Sequence, residues 1–135
     1  MEFDIQNYFI ELGKLLYAIA KTDGIVQFEE RKKVNEIVRD NLIEICKRTD
    51  EFGTNLAFYS EFSFDTISDR NIKADKAYQS FIAFVENHKH HIPETLIKLT
   101  ISAVEKVAEA HQGIIENERA FIEKLNNDLQ NIYHS

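Results

Sequence analysis

Residues 22–30 read TDGIVQFEE, and residues 110–118 read AHQGIIENE. In both stretches an apolar pattern of helical period ends near a glycine, hydrophobic residues follow, and a second helical pattern starts among acidic residues. Glycine is common just after the end of a helix, and acidic residues are favoured in the first helical turn because the helix dipole is positive there. Each stretch therefore predicts the corner of a helix–turn–helix.

The two corners are related by one offset in the sequence. An offset of 88 residues places Glu30 on Glu118 and keeps the flanking apolar positions in register. The matched pairs are Leu16 with Val104, Ile19 with Val107, Ala20 with Ala108, Val26 with Ile114, Val34 with Ile122, and Ile37 with Leu125. We therefore predict repeat corners over residues 9–38 and 97–126, packed about a pseudo-twofold axis so that each covers the apolar face of the other.

A competing offset of 89 residues aligns Gly24 with Gly113. It also sets the apolar Val34 opposite the charged Glu123, which would expose a core position. The offset of 88 is therefore preferred.

Apolar residues recur at helical spacing through most of the remaining sequence, and the whole chain has only four Gly and one Pro. The pattern predicts helices over residues 3–22, 27–48, 74–90, 93–111 and 117–133, with Pro93 in the first helical position of its segment. Residues 49–69 are less regular, and we expect one or two short helices there that fold onto the core. Phe and Tyr side chains between Phe52 and Phe64 either fill the core or line a ligand groove. The expected fold is one all-α domain over residues 1–135, a helical bundle of five to seven helices.

The charge balance limits the partners that the chain can bind. It has 16 Lys and Arg residues against 23 Asp and Glu residues, a formal net charge of −7. Nucleic acids and anionic membranes attract concentrated positive charge, so we expect neither as a partner. The acidic residues at 1–4 and the short apolar runs predict no signal peptide and no direct membrane insertion. The single cysteine, Cys46, fits a reducing compartment, and we expect a cytoplasmic protein.

The first corner resembles a known family in three features. A helix ends in Thr22-Asp23-Gly24, a hydrophobic residue follows two positions on, and Glu30 lies six positions after the glycine. This pattern is similar to the TerB-like family of tellurite-resistance and co-chaperone-associated domains, and the NERA sequence at 117–120 resembles the second corner of that family. The resemblance implies an all-α domain in which paired acidic corners bind a divalent cation.

Carried onto this sequence, the resemblance implies a metal site at Asp23, Glu30, His111 and Glu118. Both glutamates and Asp23 match acidic positions of the family motif, whereas His111 stands where the family has a second aspartate. Carboxylates alone suit Mg²⁺ or Ca²⁺, and an added imidazole shifts the preference towards Zn²⁺, Mn²⁺ or Fe²⁺. The alternative is that these acids cap helices and remain solvated.

Two other stretches partly match metal-binding motifs. An EF-hand loop that ends at Glu30 would place Ile19 and Lys21 in its first and third ligand positions, and neither can bind Ca²⁺. His88 and His91 would share a face of the predicted helix and could bind a metal. No acidic or Cys ligand at a suitable spacing accompanies them, which favours histidines at the C-terminal end of a helix, where positive charge is stabilising.

The sequence has no glycine-rich phosphate loop, no nucleophile elbow and no zincin motif, and we expect no enzymatic activity. The leading hypothesis is a non-enzymatic metal-binding module in a stress-response or envelope-associated assembly, with a protein partner; the assembly is implied only by the TerB-like resemblance. The alternative is a metal-free helical adaptor that binds another protein. A third hypothesis is an enzyme that uses a transition metal held by the same four residues.

Overall fold

The computed structural model describes residues 5–22, 26, 28–43, 48–110 and 116–134. Within these residues the chain forms six α-helices and no strand. They are α1 (Ile5–Ala20), α2 (Phe28–Ile37), α3 (Phe58–Asp69), α4 (Ala74–His88), α5 (Glu94–Glu109) and α6 (Glu116–Tyr133). The prediction of an all-α bundle of five to seven helices is confirmed.

Helix α1 is the central element of the bundle. Ten of its sixteen residues are buried, and every residue from Leu15 to Ala20 belongs to that set. A helix that is buried on all sides must be surrounded by other elements. α3, α4 and α5 pack around it. The hydroxyl of Tyr8 is hydrogen-bonded to that of Thr100, which joins the buried faces of α1 and α5.

A glycine allows α1 and α3 to approach closely. A Cβ atom added at Gly13 would lie 2.3 Å from the carbonyl oxygen of Ser60 and 2.9 Å from the Cβ of Ser63. The Ser60 hydroxyl donates a hydrogen bond of 2.8 Å to the carbonyl oxygen of Phe9 across the same contact. The backbone of α3 therefore lies directly against α1 at this crossing.

Two predicted segments differ from the structure. The single helix predicted over 27–48 is α2 followed by a π-helical segment, Val38–Leu42, and Arg48 is not helical. Pro93 has an extended backbone (ψ 145°) and lies at the N-cap of α5, so the helix begins at Glu94 and not at the proline. The one or two short helices expected over 49–69 are a single helix, α3, which follows a turn.

The turn before α3 is organised by one aspartate. The Asp50 carboxylate accepts hydrogen bonds from the backbone N–H groups of Phe52 (2.9 Å) and Thr54 (3.0 Å) and from the Tyr59 hydroxyl (2.7 Å). Gly53 has a φ of 84°, a conformation that glycine adopts without strain. These hydrogen bonds, the one from Tyr59 above all, hold the pKa of Asp50 below its usual value.

Burial agrees with the offset of 88 residues at some positions and not at others. α2 begins at Phe28 and α6 begins 88 positions later, at Glu116. Five pairs are buried in both copies: Leu16 and Val104, Ile19 and Val107, Ala20 and Ala108, Glu30 and Glu118, and Ile37 and Leu125. Buried Val34, however, meets half-buried Ile122, and buried Tyr17 meets exposed Glu105, so the repeat stays a prediction. Under the offset of 89, buried Val34 would match Glu123, which is exposed.

Candidate functional site

The structure describes two of the four residues predicted to bind a metal. Glu30 is the third residue of α2, and Glu118 is the third residue of α6. Asp23 and His111 lie outside the described residues. The geometry available for the predicted site is therefore that of the two glutamates and of the helices that carry them.

Both glutamates are almost fully buried. Glu30 is 1% exposed and Glu118 is 3% exposed, and each interacts with other groups of the protein. Neighbouring carboxylates in the same helical turns, those of Glu29 and Glu116, are exposed. The two buried acids are thus the pair that the offset of 88 residues aligns, Glu30 and Glu118.

Burial corrects one of the two interpretations of these acids. A carboxylate in the first helical turn gains from the helix dipole while it remains hydrated, but Glu30 and Glu118 are shielded from water. A buried carboxyl group stays ionised when hydrogen bonds, an opposite charge or a metal ion replaces its hydration, and otherwise takes up a proton. The carboxylate of a glutamate in the third helical position can accept a hydrogen bond from the backbone N–H of the residue before the helix. Both roles, a buried helix cap and a metal ligand, therefore fit the positions of Glu30 and Glu118.

The described residues do not contain a complete metal site. Among them, no group of three or more His, Cys, Asp and Glu side chains is arranged to hold a metal ion. A site that contains Glu30 and Glu118 therefore needs donors from the corner residues, where the sequence places Asp23 and His111.

The hypothesis of a metal site at His88 and His91 requires both side chains on one face of a helix, and the structure does not have this geometry. α4 ends at His88, and His91 lies in the turn that follows, so the two imidazoles do not share a helical face. The His88 ring is stacked on Phe84, with ring centroids 4.4 Å apart, and its Nδ1 atom lies 2.9 Å from the Phe84 carbonyl oxygen. This histidine packs against its own helix.

A cleft of about 650 Å³ lies between α4 and α6. It mixes charges of both signs, Glu86 and Asp128 with Lys89 and Lys124. Asp128 accepts a hydrogen bond from the Tyr78 hydroxyl, and Lys89 donates one of 3.2 Å to the carbonyl oxygen of Ile132. Because several of these groups already bond to the protein, the cleft favours no single class of ligand.

A groove runs between α1 and α3. A ligand groove was one of the two roles that the sequence allowed for the aromatic residues of 52–64. The aromatic residues of 52–64 divide between two environments: Phe64 is buried in the core, whereas Phe62 is 49% exposed and lines the groove beside Tyr59. Phe62 and Phe64 lie about 200° apart around a helix of 3.6 residues per turn, which explains their different environments. The helical spacing was the signal that separates them.

No protein-family model, curated protein or solved structure matches the chain. In the part of the chain that the structure describes, no helix combines the length and the apolar character that a membrane span requires. The functional conclusion therefore rests on the residues of this chain.

Proposed function

We propose that this chain is a non-enzymatic, TerB-like helical module that binds one divalent cation at its paired corners. The proposed ligands are Asp23, Glu30, His111 and Glu118. The further proposal, that the module acts in a cytoplasmic stress-response or envelope-associated assembly, derives from the TerB-like resemblance alone.

The observation that supports the proposal is the burial of Glu30 and Glu118 at equivalent helical positions. Carboxylates that are 1% and 3% exposed have little contact with water; each already interacts with other groups of the protein, and a divalent cation would add to that stabilisation. Three carboxylates and one imidazole form a donor set that suits Mn²⁺, Zn²⁺ or Fe²⁺ better than Ca²⁺.

The test is a thermal-shift titration of the chelator-treated protein with Mg²⁺, Ca²⁺, Mn²⁺ and Zn²⁺. A cation at about 100 times its Kd stabilises the folded state by about 2.7 kcal/mol. For a chain of this size that stabilisation corresponds to a rise in Tm of roughly 10 °C. The readout is the rise on adding cation, because a substitution at a buried carboxylate also changes the Tm of the metal-free protein.

Matched variants separate metal ligands from other acids in the same helical turn. Glu30→Gln and Glu118→Gln should lose the cation-dependent rise, whereas Glu29→Gln and Glu116→Gln remove the same charge at exposed positions and should keep it. A wild-type response that survives in both buried variants would contradict the four-residue site. No response to any cation in the wild-type protein would assign the glutamates to helix capping.

The second candidate function is a metal-free adaptor for another protein. Among the described residues, four large apolar side chains are exposed: Phe28 (75%), Phe52 (83%), Phe62 (49%) and Tyr133 (38%). Exposed aromatic residues are typical anchors of protein interfaces. If the chain is a metal-free adaptor, it should still bind its protein partner in the presence of a chelator. The metal-module hypothesis makes no such prediction.

A further inference from the structure

The groove between α1 and α3 continues to the start of α4 as two adjoining hollows of about 310 and 290 Å³. Lys14, Ile67 and Arg70 line both hollows, so the two form one continuous groove. One end is apolar and aromatic, with Tyr59 and Phe62. The groove is open to solvent along its length, which suits an elongated ligand better than a compact one.

The aromatic end of the groove presents an ordered apolar surface. The ring of Phe62 is stacked with that of Phe58, with centroids 6.4 Å apart and an interplanar angle of 20°. It also makes an edge contact with Tyr59, with centroids 5.6 Å apart. Although these neighbours hold the ring, it remains 49% exposed, so a ligand would gain apolar burial against a fixed surface.

The middle of the groove and the end opposite Phe62 are basic. The charged residues among the described groove lining are Lys14, Arg70 and Lys76, and all three are cations. Lys14 is paired with Glu11 at 2.9 Å, whereas Arg70 and Lys76 are exposed. In a chain with a net charge of −7, such a site complements a negatively charged ligand.

The length of the groove matches the spacing of side chains along one face of a short helix. Phe62 and Arg70 are eight residues apart on α3 and its C-terminal cap, about 12 Å at 1.5 Å per residue. An amphipathic helix that docks by side chains at positions i, i+4 and i+7 spans about 10.5 Å. One such helix can therefore contact Phe62 with its apolar face and reach the cations with its acidic end.

We propose that this groove binds an acidic amphipathic helix of a partner protein, with apolar anchors on Phe62 and Ile67 and carboxylates at Arg70 and Lys76. The inference rests on the adaptor candidate and not on the metal site. It adds to that candidate the place of docking and the chemistry of the partner.

The experiment measures fluorescence anisotropy with a designed 18-residue helical peptide that has Leu at positions i, i+4, i+7 and i+11 and Glu at its exposed positions. A second peptide keeps the leucines and replaces each Glu with Lys. All titrations are made in EDTA, which keeps the proposed metal site empty, so that the measured affinity does not depend on metal binding. We expect the acidic peptide to bind at least tenfold more tightly than the basic peptide.

Protein variants locate the binding site. Phe62→Ser and the double variant Arg70→Glu/Lys76→Glu should each weaken binding of the acidic peptide at least tenfold. The matched control is Lys32→Glu/Lys98→Glu, which makes the same charge change at exposed positions outside the groove and should alter the Kd less than threefold. Circular dichroism checks that each variant keeps its helical content.

Three results would overturn the proposal. They are equal affinity for the two peptides, equal weakening by the groove and control variants, and no binding of the acidic peptide at 200 µM. A parallel titration with phosphatidylglycerol vesicles covers the other anionic surface. Vesicle binding that Arg70→Glu/Lys76→Glu abolishes, without peptide binding, would assign the groove to lipid headgroups and also overturn it.

Discussion

Substitution of Gly13 by alanine tests the closest contact in the bundle. The added Cβ would lie 2.3 Å from the Ser60 carbonyl oxygen, whereas carbon atoms in good contact with other heavy atoms lie about 3.5–4.0 Å away. The obstructing atom belongs to the backbone of α3, so no side-chain rotation relieves the overlap. Helix α3 must therefore move outward by more than about 1 Å.

The net effect on stability is the balance of two opposing terms. In an unobstructed helix, replacing Gly by Ala is favourable by about 1 kcal/mol. Here the overpacking costs about 1–3 kcal/mol. A displacement of about 1 Å would also break the 2.8 Å bond from Ser60 to the Phe9 carbonyl oxygen, at a cost of about 1 kcal/mol. We expect Gly13→Ala to lower the free energy of unfolding by roughly 2 kcal/mol and the Tm by roughly 6–10 °C.

The assay is urea unfolding and a thermal melt, both followed by circular dichroism at 222 nm. Asn7→Ala provides the control, because it introduces alanine at an exposed position of the same helix and should change the free energy of unfolding by less than about 0.5 kcal/mol. An unchanged or higher Tm for Gly13→Ala would refute the close packing of α1 and α3, because only the favourable helix term would then operate.

Two other predictions concern buried hydroxyl groups. Thr100→Val removes the partner of the Tyr8 hydroxyl and should lower the free energy of unfolding by about 1–3 kcal/mol, whereas Thr100→Ser should restore most of it, as urea unfolding can measure. Burial raises the pKa of Tyr78, and the hydrogen bond to Asp128 raises it further. Above pH 10 the unfolded chain loses the Tyr78 proton while the folded chain keeps it, so the free energy of unfolding should fall with pH. Tyr78→Phe should make this fall smaller by about 1 kcal/mol between pH 10 and 11, with the difference approaching about 1.4 kcal/mol per pH unit at higher pH, and an unchanged pH dependence would contradict the assignment.

The helical frame was predictable because its signal is repeated many times. Each long helix has several apolar residues at the same spacing, and an error at one position does not change the pattern. The repeat at an offset of 88 residues stays a prediction, because residues 23–25 and 111–115, which form the two corners, lie outside the described part of the chain. Segment ends were less predictable because a single residue decides each one, as Pro93 shows by preceding its helix.

The parts that the sequence did not predict depend on tertiary contacts. Acids in first helical turns are usually hydrated, so nothing local indicates that Glu30 and Glu118 are buried while Glu29 and Glu116 are exposed. The groove likewise requires α3 to lie against α1, which a composition of aromatic and polar residues does not reveal. The turn at Asp50 had a local signal, an aspartate followed by glycine three residues on, which is typical of turns.

Elemental analysis of untagged protein, purified without chelator, tests the four-residue metal site directly. We expect close to one equivalent of a single divalent metal in the wild-type protein and in the Glu116→Gln control. The site also predicts loss of that metal in His111→Ala and Glu118→Gln while the helical content stays unchanged. A metal content that is the same in Glu118→Gln as in the wild-type protein, or no metal together with no stabilisation by added cations, would contradict it.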